Sequence, residues 1–121
     1  MNKNNSQAPV HLIVMASMTT TVTSMPYDIR NQDNCSVQLN FTGAPVGTFY
    51  IQGSVDYQQV VYPPNPGNWI NLVLNPTPIA SGAPGNILLD MNQLSFPWFR
   101  IQYVPASGTG TLDAYVSTKV V

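Results

Sequence analysis

Residues 35–41 read Cys35-Ser-Val-Gln-Leu-Asn-Phe41, with Cys35, Val37, Leu39 and Phe41 alternating strictly with Ser36, Gln38 and Asn40. Successive side chains of a strand point to opposite faces, so this run is a half-buried antiparallel strand. One face is apolar. The other is polar but carries no charge.

The same period of two continues outward from this strand. Gly43-Ala-Pro45 turns the chain, and Thr48–Val55 follows with Phe49, Ile51 and Val55 on one face and Tyr50, Gln52 and Ser54 on the other. The short connection predicts a hairpin between the two runs. Trp69–Leu74, Ile87–Leu89 and Phe96–Val104 read as further strands, the last with Phe99, Ile101 and Tyr103 alternating with Trp98, Arg100 and Gln102. Ser107-Gly-Thr-Gly110 is placed to close a second hairpin, returning Thr111–Val121 with Leu112, Ala114 and Val116 inward. Upstream, Val10–Ala16 and the Thr-rich run Thr19–Thr23 suit strands because branching at Cβ fits a pleated surface. The 11 prolines and 8 glycines interrupt every helical period. The expectation is an all-β chain of seven to eight strands, an antiparallel β-sandwich of which the jelly roll is one form. Residues 9–121 form a single domain, and residues 1–8 a flexible N-terminal arm leading into the first strand rather than a cleaved signal.

Charge is scarce. The 121 residues include four Lys or Arg and five Asp or Glu, or 7% charged, where roughly a quarter is ordinary. None of the acids is Glu. A soluble monomer normally spreads both signs of charge over its surface. This chain has either a neutral Asn/Gln/Ser/Thr surface or one that other subunits cover. The scattered bases and the net charge of −1 remove the electrostatic basis for nucleic-acid binding. The longest apolar run, Val10–Ala16, contains His11 and falls well short of the ~20 residues a membrane helix needs. One cysteine, Cys35, excludes an internal disulfide.

The catalytic inventory is thin. His11 is the single histidine and reads as a strand residue with a polar tip rather than a general base. One His and one Cys cannot build a zinc site. The oxygen-rich cluster Asp28, Asn31, Gln32, Asp33 and Asn34 lacks the calcium-loop spacing and reads as a solvated loop. No catalytic, cofactor-binding or metal residue is assigned, no cofactor is expected, and the chain is expected not to be an enzyme. The remaining lead is Tyr50, Tyr57, Tyr62, Trp69 and Trp98, with Arg100 beside them, as a candidate interface. Three roles stand open for these aromatics: Trp69 and Trp98 closing the two ends of the core, a contact between subunits, or a platform for a glycan. Arg100 should point out of its sheet toward an Asp, with Asp113 the obvious partner.

Several short motifs add to this reading: Ile51-Gln-Gly-Ser54, Gly67-Asn-Trp69 with Leu72, Ala83–Gln93, Phe96-Pro-Trp-Phe-Arg-Ile-Gln-Tyr103 and Ser107-Gly-Thr-Gly-Thr-Leu112. The stretch Tyr50–Val121 that holds them resembles small β-sandwich structural proteins of tailed bacteriophages, of the capsid-decoration, neck and tail type. The longer loop Pro63–Gly67 departs from the tight turn such proteins often carry before the Trp. The resemblance implies a non-enzymatic virion protein, made in the host cytoplasm, that binds other virion proteins at repeated capsid or tail sites. A closed homo-oligomer such as a trimer is the expected form, with no nucleic acid or membrane as partner. The competing expectation is a carbohydrate-binding module for adhesion to a host surface.

Overall fold

The computed structural model describes residues 9–30, 32–58, 66–92 and 95–119. The expected arm at residues 1–8 and Tyr62 lie outside these. The described residues form ten strands: β1 Val10–Ser17, β2 Val22–Thr23, β3 Tyr27–Asp28, β4 Asn34–Gly43, β5 Val46–Ser54, β6 Ile70–Asn71, β7 Ile79–Ser81, β8 Gly85–Met91, β9 Trp98–Ser107 and β10 Gly110–Lys119. They form two antiparallel sheets. The first has the order β1-β10-β4-β8; the second runs β2-β9-β5-β6, with β3 also on β9 and β7 also on β5.

Eight rungs account for the ten strands. β2 and β3 are one rung against β9, interrupted at Ser24-Met25-Pro26. Ser24 N–H donates to the Ile101 carbonyl (2.8 Å), and the Ser24 hydroxyl accepts the Ile101 N–H (2.8 Å), so a side chain completes the ladder step. Pro26 has no N–H to offer. β6 and β7 are likewise one rung against β5, parted by residues 72–78 with Pro76 and Pro78. Leu72 N–H still reaches the Ile51 carbonyl and Phe49 N–H the Pro78 carbonyl. Taken rung by rung, the order is that of a jelly roll.

This topology corrects both hairpins. β4 lies in the first sheet and β5 in the second, so Gly43–Val46 carries the chain across the sandwich. The same holds for β9 and β10. β4 instead pairs with β10 through ten consecutive residues, Asn34↔Lys119 to Gly43↔Gly110. Gly43 (φ +83°) and Gly108 (φ +79°) take backbone conformations that L side chains rarely adopt at these crossings.

The core lies between the sheets, where the alternation placed it. Cys35, Val37, Leu39 and Phe41 are buried from β4, Phe49 and Ile51 from β5, Phe99, Ile101 and Tyr103 from β9, and Leu112, Ala114 and Val116 from β10. Each large apolar side chain so buried contributes about 1.5–3 kcal/mol. Phe49 joins the sheets: its ring centroid is 5.4 Å from Phe41 and 4.8 Å from Tyr103. One inward position and one strand differ from expectation. Val55 is exposed, because β5 ends at Ser54 and Gly53 takes the last inward place, where the Phe96 ring packs within 3.0 Å of where a Cβ would stand. The strand expected over Trp69–Leu74 forms only at Ile70–Asn71.

Candidate functional site

The outward face of the second sheet gathers most of the candidate residues. β5 and β9 pair with Ser54 opposite Trp98, Gln52 opposite Arg100 and Tyr50 opposite Gln102. Asn71 stands opposite Gln52, and Thr23 opposite Gln102. The side chains form a cross-strand ladder. Arg100 Nε donates to Gln52 Oε1 (2.7 Å), Gln52 Nε2 to Asn71 Oδ1 (2.9 Å) and more weakly to Gln102 Oε1 (3.4 Å), and Gln102 Nε2 to Thr23 Oγ1 (3.3 Å). Burial lowers the Arg100 guanidinium from its ordinary pKa, yet it keeps its charge at any physiological pH.

Aromatic rings continue the ladder toward the sheet end. The Arg100 guanidinium lies 4.6 Å above the Trp69 ring. Tyr57 lies 5.4 Å from Trp69 and meets Trp98 edge-on at 4.9 Å. Arg30 caps Trp98 at 5.4 Å. The order in space is therefore Arg30, Trp98, Tyr57, Trp69, Arg100, with a cation at each end of three rings. Arg30 is held by Asp28 through Nε and Nη2 at 2.6–3.0 Å. The Arg30 guanidinium holds the Asp28 carboxyl below its usual value, and the carboxylate raises Arg30 in return.

A loop after β5 sets the rings in place. Asp56 accepts the Asn68 N–H (2.8 Å), the Asn68 side-chain amide (2.7 Å) and the Ser54 hydroxyl (2.8 Å). The Asn68 backbone N–H above all, then Ser54 and the Asn68 amide, hold the Asp56 carboxyl below the ordinary range. Ser54 Oγ accepts the Tyr57 N–H (3.2 Å), and Trp69 Nε1 donates to the Pro66 carbonyl (3.0 Å). Gly67 between them has φ +78°, and a Cβ there would lie 2.8 Å from that of Tyr57. Only glycine lets the loop close this tightly. Beside it opens an apolar hollow of about 350 Å³ lined by Gly53, Ile70, Leu72 and Phe96, with Asp56 and Asn68 at its rim.

Four candidate residues, Tyr57, Trp69, Trp98 and Arg100, thus come together, and Tyr50 shares their face. Trp69 and Trp98 do not close opposite ends of the core. They sit in one cluster outside it, because Trp98 starts the outward row of β9 and the Asp56 loop folds Trp69 back onto the same surface. Arg100 does not pair with Asp113, which belongs to the other sheet. Sequence reasoning missed Asp28–Arg30, Asp56 and the Gln52–Asn71–Gln102 ladder. The period of two already put Gln52 and Gln102 outward, but nothing local shows that β5 and β9 are neighbours.

Asp113 serves the first sheet. Its Oδ1 accepts the Met15 N–H (2.9 Å) and lies 2.9 Å from His11 Nε2. The Met15 N–H first, and then His11, hold the Asp113 carboxyl below the ordinary range. The His11 ring stacks on Tyr115 at 4.2 Å and 12°. These contacts fasten β1 where its register slips between Ile13 and Ala16 and where Met15 has φ +48°. Among the described residues no three His, Cys, Asp or Glu side chains converge as a metal site would require.

Neither a protein-family model nor a curated protein matches the chain. Solved structures resemble it. One is the SPBc2 prophage-derived protein YomS, with TM-score 0.54 and 11% identity over 93% of this chain and 94% of that one. Weaker likenesses are to dimeric latent PorU of Porphyromonas gingivalis (TM-score 0.46, 10% identity, 95% of this chain and 12% of that one) and to a CBM4 structure (TM-score 0.40, 12% identity, 91% and 75%). At such identities the likeness to YomS is one of fold: these residues build an antiparallel sandwich of the kind found in a prophage-derived protein.

Proposed function

We propose that this chain is a non-enzymatic structural protein of a phage virion, a capsid decoration or other head- or tail-associated subunit that works by self-assembly and by binding repeated sites on the particle. The observation that carries this reading is that both outward faces are built mainly of uncharged polar groups, with Asp90, Asp113 and Lys119 on the first and Arg100 on the second among the few charges. β4 presents Ser36, Gln38, Asn40 and Thr42 outward, and β5 and β9 present amides and hydroxyls around the aromatic cluster. The few charges are mostly engaged within the chain: Asp28 with Arg30, Asp113 with His11, Arg100 with Gln52 and Trp69, Asp56 with Asn68. Neutral polar groups can be covered by a neighbour without the desolvation penalty of an unpaired ion. The fold shared with a prophage-derived protein agrees with this reading. The exposed apolar side chains Val55 and Ile70, 77% and 67% exposed beside the hollow, extend the contact surface.

The carbohydrate reading draws less support. A sugar platform needs an open aromatic face, whereas Arg100 already covers one face of Trp69 and Trp98 is only 7% exposed. Immunogold labelling of purified particles of the phage that encodes the chain tests the proposal. Labelling at regular sites on head or tail is the expected result, and particles without label would end it. A glycan array and sugar-dependent Trp fluorescence test the competing reading.

A further inference from the structure

Among the described residues, β8 pairs with β4 on one side and with no strand on the other. Sheet edges expose unpaired N–H and C=O groups, and proteins usually blunt them with bulges, very short strands, Pro or Lys. The other edges of this fold are blunted. β1 slips register twice, β2, β3 and β6 have two residues each, and β7 has three. β8 has seven residues, Gly85–Met91, in unbroken register with β4, with neither Pro nor Lys and with Asp90 near its end as its one charge. Its middle residue, Leu88, is 70% exposed on the outward face.

We infer that β8 pairs antiparallel with β8 of a second copy across a two-fold axis at Leu88, joining the two four-stranded sheets into one. The inference rests on the self-assembly part of the function proposed above and names its surface. The register follows from the sequence of the strand. A two-fold axis perpendicular to the sheet keeps outward residues on one side, so it must pass through a residue. Centred on Asp90, it would set two carboxylates against each other. Centred on Leu89, it would press Leu88 against Asp90; centred on Ile87, it would set Asp90 against Pro84. Centred on Leu88, all of β8 pairs: Leu88 meets itself, Asn86 meets Asp90 as an amide against a carboxylate, and Ile87 meets Leu89. Ile87, Leu89 and Met91, only partly buried against the core, gain cover. Main-chain bonds along an added strand would supply affinity, and the outward side chains the register. Such a contact closes on two copies, in place of the trimer considered from sequence.

The experiment combines self-association with crosslinking. Sedimentation should show a dimer of the unaltered chain. Leu88→Lys should weaken it roughly tenfold or more, by loss of the apolar pair and gain of a like-charge pair. Asn86→Asp should weaken it as well, and the double change Asn86→Asp with Asp90→Asn should restore it, with circular dichroism confirming the fold throughout. Facing residues of such a pair have Cα atoms about 4.5–5.5 Å apart, within disulfide range, so Leu88→Cys should give an oxidised dimer. Val73→Cys, at a position 98% exposed, should not. A monomer at high concentration, an oligomer indifferent to Leu88→Lys, or equal crosslinking through Val73→Cys would overturn the inference. Particle labelling without self-association overturns the β8 contact alone, and a β8 dimer that labels no particle overturns the virion reading alone.

Discussion

The Tyr103 hydroxyl occupies the space that a side chain on Gly47 would need: a Cβ at position 47 would stand 2.5 Å from the Tyr103 oxygen and 2.5 Å from the Val104 carbonyl. Glycine is therefore required by packing on the inward face of β5. Gly47→Ala should cost about 1–3 kcal/mol, the range for overpacking a filled core, measured by urea denaturation. Adding Tyr103→Phe should recover only part of the loss, since the Val104 carbonyl still stands in the way.

Tyr103→Phe alone should stabilise the chain. The hydroxyl is buried without a hydrogen-bond partner, and burial raises the phenol above its ordinary pKa. An unsatisfied buried hydroxyl costs about 1–3 kcal/mol, so its removal should add roughly 1 kcal/mol in the same measurement. A loss of stability would mean that the hydroxyl has a partner.

Arg100 and Trp69 should prove energetically coupled. A double-mutant cycle with Arg100→Ala and Trp69→Ala should return about 0.5–1 kcal/mol, the size of a partly exposed cation–π contact. Coupling of Arg100 to Asp113 in a parallel cycle should be near zero.

Stability should fall on both sides of neutrality. Asp28, Asp56 and Asp113 have folded-state pKa values below 3.8. Below about pH 4 the unfolded chain takes up protons that the folded chain does not, so stability present above that pH is lost on acidification. These carboxyls are largely exposed, which keeps the effect modest, and Asp113→Asn should flatten the acid limb. The Cys35 thiol is pushed from 9.0 up to about 12, chiefly by burial. Between those values the unfolded chain loses a proton that the folded one keeps, so stability falls as pH rises. Thermal melts across pH 2–12 check both limbs.

Cys35 should be inert while the fold persists. It is 1% exposed on the core side of β4, and the thiolate is the reactive form. A thiol reagent at pH 8 should label it only at the rate of unfolding, and at once in denaturant.

The buried half of each long strand was legible because a period of two needs no partner to be recognised: β4, β9 and β10 bury the residues their alternation singled out. What the strands pair with was not. Gly43-Ala-Pro45 and Ser107–Gly110 carry the residues of a hairpin turn, yet both pass between sheets, and local turn chemistry does not distinguish the two outcomes. The aromatic cluster was legible as a set of residue types but not as an arrangement. Tyr57, Trp69 and Trp98 meet because the Asp56–Asn68 clasp and Gly67 fold a loop back, and a clasp of that kind has no periodic signature. Ser24 shows the same limit. Its hydroxyl stands in for a ladder carbonyl, so β2 and β3 are two pieces of one rung.

The pairing of β1 with β10 bears on how the molecule is made. The first of the described strands finds its only strand neighbour in the last, Ile13 beside Ala114. During synthesis the first sheet cannot be completed until β10 has left the ribosome, and no adjacent hairpin in that sheet offers a local nucleus. Non-local strand pairing of this sort folds on the order of milliseconds to seconds. Throughout that interval β4, one of the two central strands of the sheet, lacks the β10 partner that covers one of its edges.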